Sequence, residues 1–574
     1  MIRFLQMLLA FCFCLEISAI PAKPGLVKFR QPDGRVINIS LVGDEHDHLV
    51  YSEDGFILVN VGQQLEYARI DADGNMSPSG ILAGSASLSS NEVTAIQNPD
   101  GMEKYLSRRR AARLSRESAG LYHAKSGSSV SNSSGSAIPL GFGRCESSFP
   151  VEGNQKGIVI LVEYADVKFE YADSLYFDRM LNEEGFADYG SLGSARDWFM
   201  DNSYGRFIPH FDVFGPVVLP NERAYYGKND KQGNDSHPEM MAVEACRLLD
   251  DTVDFSQYDR DSDGVIDNVF VFFAGNGEHD TNITDAVWPH SWDIDEALPD
   301  STFIFDGVRL NHYACSCEVA DGYKRPDGIG TFVHEFSHVL GLPDLYVTSY
   351  SRGFTPGEWS VLDLGPYNND GLTPPNYSSF EKFALGWIDL TAVQPGAVSL
   401  PDFAESGQAY ILPTDSENEY YYFENRQQRG NDTFLPYHGM LVWHVDYNRT
   451  KWNDNTVNNS STHQNVDLIE ADNVKTEASR SGDPFPGVRN VTEFTYESTP
   501  QLASWNRLPL DVDILNIAET NDGVIKFDVE ARQKTKVESI ADSEREDIYY
   551  DLTGRRVKNP DKGIYIKNGR KICL

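Results

Sequence analysis

Cysteine is scarce in this 574-residue chain. Of seven, two lie in the apolar N-terminal segment, leaving Cys145, Cys246, Cys315, Cys317 and Cys573. That number is small and odd, so no disulfide scaffold is implied, although one bridge could form. Positive charge is also short: 49 Lys and Arg stand against 86 Asp and Glu, a formal charge of −37. Such a surface repels nucleic acid and anionic lipid, which excludes both as expected partners. Long apolar runs are missing beyond the first residues, so no transmembrane segment is expected. The one apolar run, from Phe4 to Leu15 with only Gln6 interrupting, follows Arg3 and precedes Ile17-Ser18-Ala19. A basic start, a short apolar core and small residues read as a signal peptide, assigned to 1–22. The expected location is therefore secreted or cell-surface. The remaining composition, 40% hydrophobic with 12% aromatic residues, is that of a folded protein. Its length calls for three to four domains.

Short apolar runs between Pro24 and Ala83 alternate with turn signals such as Pro32-Asp33-Gly34, Glu53-Asp54-Gly55 and Asp73-Gly74. They predict a small β-rich unit. A basic stretch, Arg108-Arg109-Arg110-Ala111-Ala112-Arg113, and a Ser/Gly-rich linker from Ser126 to Ser136 come next. A folded module on a flexible, basic-flanked tether is the layout of a removable propeptide, assigned to 23–118 with a linker at 119–150; the alternative is an ordinary interdomain linker. The apolar run Ile158–Val162 predicts a strand buried on both faces, and Val269–Phe273 predicts another. Ser194–Asp201 and His237–Asp250 carry helical patterns, with Pro238 in a first turn. Phe303–Phe305 and Val308–Leu310 flank an Asp306-Gly307 hairpin turn. These elements predict an α/β or α+β domain at 151–392. An all-β, sandwich-like module at 393–535 and a small β module at 536–574 complete the chain.

The most informative stretch is Gly328 to Tyr346. Thr331 is a candidate N-cap for a helix buried through Phe332, Val333, Phe336, Val339 and Leu340. His334 and His338 are four residues apart, so both imidazoles leave one helical face about a turn apart and can take two corners of a zinc tetrahedron. Glu335, rotated by about 100° from His334, can stand beside the metal as a general base without ligating it. Gly341 suits a left-handed residue ending the helix, and Pro343 prevents its continuation. The chain then turns back, so Asp344 can supply a third ligand and water the fourth.

His334-Glu335-Phe336-Ser337-His338-Val339-Leu340-Gly341-Leu342-Pro343-Asp344 resembles the immune inhibitor A-type family of secreted bacterial metallopeptidases, within the metzincin group. The resemblance runs from Lys156 past Trp387 and is weaker on both flanks. It implies a metzincin-like domain with a mixed sheet and active-site helix, zinc on His334, His338 and Asp344, and Glu335 as catalytic base. It also implies a propeptide, proteolytic activation and protein or peptide substrates. The expected reaction is endopeptidase cleavage by a zinc-activated water. Two positions depart from the pattern. Leu362 stands where the turn beneath the zinc normally carries methionine, a change of similar volume costing about 1.5 kcal/mol or less. Leu364 lies where many metzincins place an oxyanion-holding tyrosine, a role left to Tyr367 or to no residue.

Asp259, Asp261, Asp263 and Asp267 occupy loop positions 1, 3, 5 and 9, with Gly264 at 6 and Val265 at 7. Oxygen ligands around a sharp glycine turn suit calcium, although Phe270 replaces the closing glutamate of an EF-hand. The alternative is a solvated acidic turn; the resemblance supports structural calcium. Cys315 and Cys317 are expected on opposite faces of a strand, packing and not reacting. Trp288-Pro289-His290 and His444-x-Asp446 read as structural clusters. The segment from Tyr549 to Ile566 resembles a sorting tail of Bacteroidetes exported proteins. The rival to an enzyme is a surface adhesin or binding protein that retains an inert peptidase fold. Sequence leaves the oligomeric state open.

Overall fold

The computed structural model describes residues 18–45, 47–85, 97–117, 142–145, 147, 149–230, 233–349, 353–532, 549–550, 556–557, 564–567 and 570–573. The leader core at 4–15 and the Ser/Gly-rich stretch at 126–136 lie outside them.

A two-residue strand, β1 (Ser18–Ala19), precedes a six-stranded antiparallel meander. Its strands are β2 (Val27–Arg30), β3 (Val36–Asp44), β4 (Asp47–Ser52), β5 (Ile57–Val61), β6 (Gln64–Ile70) and β7 (Met76–Leu82). The expected turns at Gly34, Gly55 and Gly74 all have positive φ. The basic run falls within a helix, Pro99–Glu117, set against this sheet. Gly101 permits the approach: a Cβ there would stand 1.8 Å from the Asp71 carbonyl oxygen.

The central sheet contains β8 (Gly153–Glu163), β9 (Phe207–Val218), β10 (Val269–Asn276), β11 (His290–Asp293) and β14 (His312–Val319). Its order is β1-β11-β14-β10-β8-β9. Strands β14, β10, β8 and β9 run parallel, whereas β11 is antiparallel to β14. The sheet is therefore mixed. The short hairpin β12 (Phe303–Phe305) and β13 (Val308–Leu310) turns through Asp306 and Gly307, both at positive φ.

Strand alternation divides the buried residues into two layers. Val159, Leu161, Phe270 and Phe272 enter a core with the helix Ile329–Val339. Ile158, Ile160, Val162, Val269, Val271 and Phe273 face the other layer, which includes the helix Glu239–Leu249. Cys315 and Cys317 both join this second layer. This corrects the expected opposite facing, because residues two apart on a strand share a face. Neither they nor Cys145 and Cys246 form a disulfide.

Beyond the helix Ser379–Ala384, β15 (Thr391–Ala392), β17 (Tyr410–Pro413), β18 (Glu419–Arg426), β19 (Gly439–Asp446) and β20 (Val466–Leu468) form one sheet. A second contains β16 (Gly396–Leu400), β21 (Val512–Glu519) and β22 (Ile525–Ala531). Tyr421, Phe423, Met440 and Val442 pack toward the second sheet. On the opposite face, Tyr422, Leu441, Trp443 and Val445 belong to the core that holds the helix Ile329–Val339. The break expected at 392 thus crosses a shared core. In the tail, β23 (Tyr549–Tyr550), β24 (Arg556–Val557), β25 (Ile564–Lys567) and β26 (Arg570–Cys573) make a four-stranded antiparallel sheet.

Candidate metal centre

The helix bearing His334 and His338 starts two residues before Thr331. Its N-cap is Gly328, and Thr331 sits inside the first turn, donating to Asp327 Oδ2 at 3.0 Å. Crowding explains this correction. A Cβ at Gly328 would approach the Gly371 carbonyl oxygen to 2.0 Å, and one at Gly330 would approach that of Pro366 to 2.0 Å. Two glycines therefore let the helix start against neighbouring backbone. At the other end, Gly341 has φ +88°. Its N–H donates to His338 O, and Leu342 N–H donates to Ser337 O. This is the paired closure expected of a left-handed glycine. Further carbonyls of the last turn accept from Ser147 Oγ and Arg144 Nε, at 2.5 and 2.9 Å. The end of the expected linker thus finishes this helix.

His334 Nε2 and His338 Nε2 are 3.2 Å apart, and Asp344 Oδ1 lies 3.3 Å from each. Ligands of a tetrahedral zinc, bonded at about 2.0–2.1 Å, stand about 3.3 Å apart, so this triangle fits one tetrahedral face. The Nδ1 atoms face the Val361 and Leu342 carbonyl oxygens at 2.7 and 2.8 Å. Protons there leave both Nε2 lone pairs directed into the triangle. Asp344 is fully buried, and its Oδ1 has no hydrogen-bond donor among the described residues. Burial pushes its carboxyl up, but the two imidazoles outweigh that and hold it well below the usual range. Asn455 grips the same residue twice: Nδ2 donates to Asp344 Oδ2 at 2.6 Å, and Oδ1 accepts from Asp344 N–H at 2.8 Å. Sequence reasoning did not find Asn455, since nothing local marks a residue 111 positions away. Leu362 is fully buried in the adjoining core, and its carbonyl accepts from Leu345 N–H at 2.8 Å. It fills its turn as an apolar residue of methionine's size would.

Glu335 is also fully buried, within 4.8 Å of the ligand atoms of both histidines. Its Oε1 accepts from the Ile20 N–H at 2.8 Å, and its Oε2 has no hydrogen-bond partner among the described residues. Burial, then the negative Asp344, push its carboxyl well above the ordinary range, with the Ile20 N–H acting in the opposite direction. Ile20 belongs to a segment that runs beside the metal centre. Ser18 and Ala19 pair antiparallel with Ser291 and His290 of β11. Ala19 O accepts from the Tyr346 hydroxyl at 2.6 Å, Ile20 O from Trp288 Nε1 at 2.8 Å, and Pro21 O from the Tyr367 hydroxyl at 2.5 Å. Residues 18–22, assigned with the leader, are thus built into the site. His48 packs against Trp288 with ring centroids 5.0 Å apart and planes tilted by 33°, and lies 3.5 Å from Glu278.

Asp259, Asp261 and Asp267 converge with ligand atoms within 4.8 Å of one another. Asp267 is buried, with Oδ1 lacking a hydrogen-bond partner among the described residues while Oδ2 accepts from Arg260 N–H. Burial, opposed by that N–H and reinforced by Asp261 and Asp259, raises its carboxyl to about 7. Asp263 Oδ1 instead accepts from Val265 N–H at 2.8 Å, and neither residue is part of the converging trio. His290 bridges Trp288 O and the Tyr313 hydroxyl, whereas His444 is held by Glu419 between Tyr421 and Trp505. Both histidines are thus held by protein partners, while Trp288 beside His290 also donates to Ile20 O.

Two imidazoles from adjacent helical turns, a carboxylate just past the helix end and a glutamate between them make a centre of the metallopeptidase type. Residues 153–388 match the family described as "Immune inhibitor A peptidase M6, catalytic domain". Immune inhibitor A of Bacillus thuringiensis subsp. alesti is 26% identical over 270 residues, covering 40% of this chain and 39% of that protein. The pre-pro-metalloprotease PrtV of Vibrio cholerae serotype O1 (strain M66-2) is 25% identical over 250 residues, covering 38% and 27%. The chain thus matches well under half the length of either relative. Among the described residues, no helix is long and apolar enough to cross a membrane.

Proposed function

We propose that this chain is a secreted zinc-dependent endopeptidase made as a zymogen. The observation carrying this reading is the His334–His338–Asp344 triangle, whose edges of 3.2–3.3 Å match a zinc tetrahedron. Zinc held there supplies a Lewis acid that lowers the pKa of water and polarises a carbonyl. Glu335 takes the attacking water's proton and delivers it to the departing nitrogen. Its burial favours a basic carboxylate once formed, and the Asp344 charge reinforces this. Asn455, Val361 and Leu342 hold the ligands in register. The inert-adhesin alternative has less support, because a binding protein has no need of an aligned base beside three converging donors. Measuring zinc by elemental analysis and profiling cleavage of a peptide library tests the reading. A trypsin-activated protein that binds no zinc, or binds it and cleaves nothing, would falsify it.

The zymogen reading is supported by the N-terminal sheet, whose Val27, Ile39 and Leu41 share a core with Trp288 beside the metal centre. Limited trypsin treatment is expected to cut between about 108 and 136 and to raise peptide hydrolysis at least about tenfold. N-terminal sequencing alongside the assay checks this; full activity in the uncut chain makes the module a permanent domain.

Calcium is the proposed occupant of the Asp259–Asp267 loop, where it acts on stability. Without a cation, Asp267 keeps its proton in the folded chain up to about pH 7 but loses it near 3.8 when unfolded. The folded state then binds more protons, so stability falls as pH rises through that window. Calcium replaces the proton. Its gain in melting temperature should be several degrees at pH 8 and smaller at pH 5. Thermal scans of parent and Asp261→Ala/Asp267→Ala chains check this; equal gains in both abolish the site.

A further inference from the structure

The peptide bond between Ala19 and Ile20 is held from both ends. Its carbonyl oxygen accepts from the Tyr346 hydroxyl at 2.6 Å, and its N–H donates to Glu335 Oε1 at 2.8 Å. The strand containing it continues the central sheet beside β11, with antiparallel register. Tyr367 reaches a different carbonyl, that of Pro21, two residues further along. The bond is completely enclosed: Ala19 and Ile20 are both buried at 0% exposure.

From this arrangement we infer that Tyr346 is a catalytic residue, the donor that stabilises the oxyanion when a substrate peptide takes the place of Ala19–Ile20. The inference rests on the endopeptidase reading for its chemistry, but the contacts stand apart from it. A peptide bond in this frame has its carbonyl against a hydroxyl donor and its nitrogen against the carboxyl that delivers a proton. In hydrolysis the C–N bond breaks, the new C–O bond comes from water, and water's proton reaches the nitrogen through Glu335. Negative charge grows on the carbonyl oxygen during attack, so a fixed donor there binds the transition state more strongly than the ground state. Tyr346 is well fixed. It follows Asp344 by two residues, and Leu345 between them is tied to Leu362 by a backbone hydrogen bond of 2.8 Å. Tyr367, which reaches the chain beyond the scissile position, is a binding residue. Leu364 therefore leaves no gap in the machinery, because the donor comes from the segment after the third ligand.

The test uses zinc-loaded, trypsin-activated parent, Tyr346→Phe and Tyr367→Phe proteins. One ligand is the peptide Ser-Ala-Ile-Pro-Ala-Lys carrying a fluorescent reporter; the other is its phosphinic analogue, with a tetrahedral anionic phosphorus at the Ala–Ile junction. Tyr346→Phe should lower kcat by about 10²–10³-fold with zinc content retained and KM changed by less than about threefold. Its affinity for the phosphinic peptide should fall in parallel with kcat/KM, which a purely structural role would not produce. Tyr367→Phe should raise KM and leave kcat within about threefold. A Tyr346→Phe protein that binds the phosphinic peptide as tightly as the parent overturns the assignment, whatever the activities. If the zinc-loaded parent cleaves nothing but its phosphinic-peptide affinity still depends on Tyr346, the peptidase reading fails and the oxyanion site stands.

Discussion

Glu335→Ala is expected to keep about one zinc per chain and to lose peptide hydrolysis by about 10³-fold or more. The two halves of this result have different origins. The metal triangle uses His334, His338 and Asp344, and its 3.2–3.3 Å edges are complete without Glu335. Removing the glutamate also takes away a buried carboxyl that has one hydrogen-bond donor among the described residues, Ile20 N–H. The fold should tolerate this, since the change deletes a charge whose burial is unfavourable. Catalysis should not tolerate it, because positioned proton transfer is worth about 10²–10⁴-fold. Elemental zinc analysis and initial rates on the same sample decide the matter. A zinc-loaded Glu335→Ala protein with parental rates would mean another group moves the proton. A variant that loses its zinc would make Glu335 a ligand.

Much of this centre is legible in sequence because its information is local. His334, Glu335 and His338 share one helix, whose period fixes their relative directions. Gly341 and Pro343 mark its end, and Asp344 follows at once. The strands at Ile158–Val162 and Val269–Phe273 are equally readable, as apolar runs buried on both faces. What sequence does not disclose comes from distant residues. Thr331 looks like a cap until Gly371 and Pro366 crowd the helix start. Asn455 binds Asp344 from a loop whose polar residues resemble any other turn. Residues 18–22 look like the end of a leader, yet Ile20 meets Glu335 across 315 positions of chain. The five-stranded sheet also reads as a separate module, since strand alternation reveals two buried faces without saying which neighbour covers each. Here one face belongs to the metal helix's own core.

Loss of any of the three metal donors should abolish zinc binding and activity together, with the supporting residue graded below them. His334→Ala and His338→Ala each leave two protein ligands from three, so zinc should fall from about one per chain to below about 0.1 after dialysis. Asp344→Ala should do the same, and it decides the ligand set. Glu335 is another carboxylate near the imidazoles, within 4.8 Å of both. If Asp344→Ala holds zinc with parental affinity, the third ligand lies there or elsewhere. Asn455→Ala keeps all three donors but frees the carboxylate that its amide holds at 2.6 Å. Outer partners of this kind are worth about 10–100-fold in metal affinity. The variant should therefore be occupied at high zinc and emptied by a chelator concentration the parent survives. Metal removal should also lower the parent's melting temperature, for a reason visible in the triangle. Two imidazole lone pairs and a buried carboxylate converge within 3.3 Å, and they repel one another unless a cation or a proton lies between. A chelator titration with calorimetry should therefore show the parent losing stability as zinc leaves. His338→Ala, with the repulsion and the site both gone, should show no chelator-dependent change attributable to this centre.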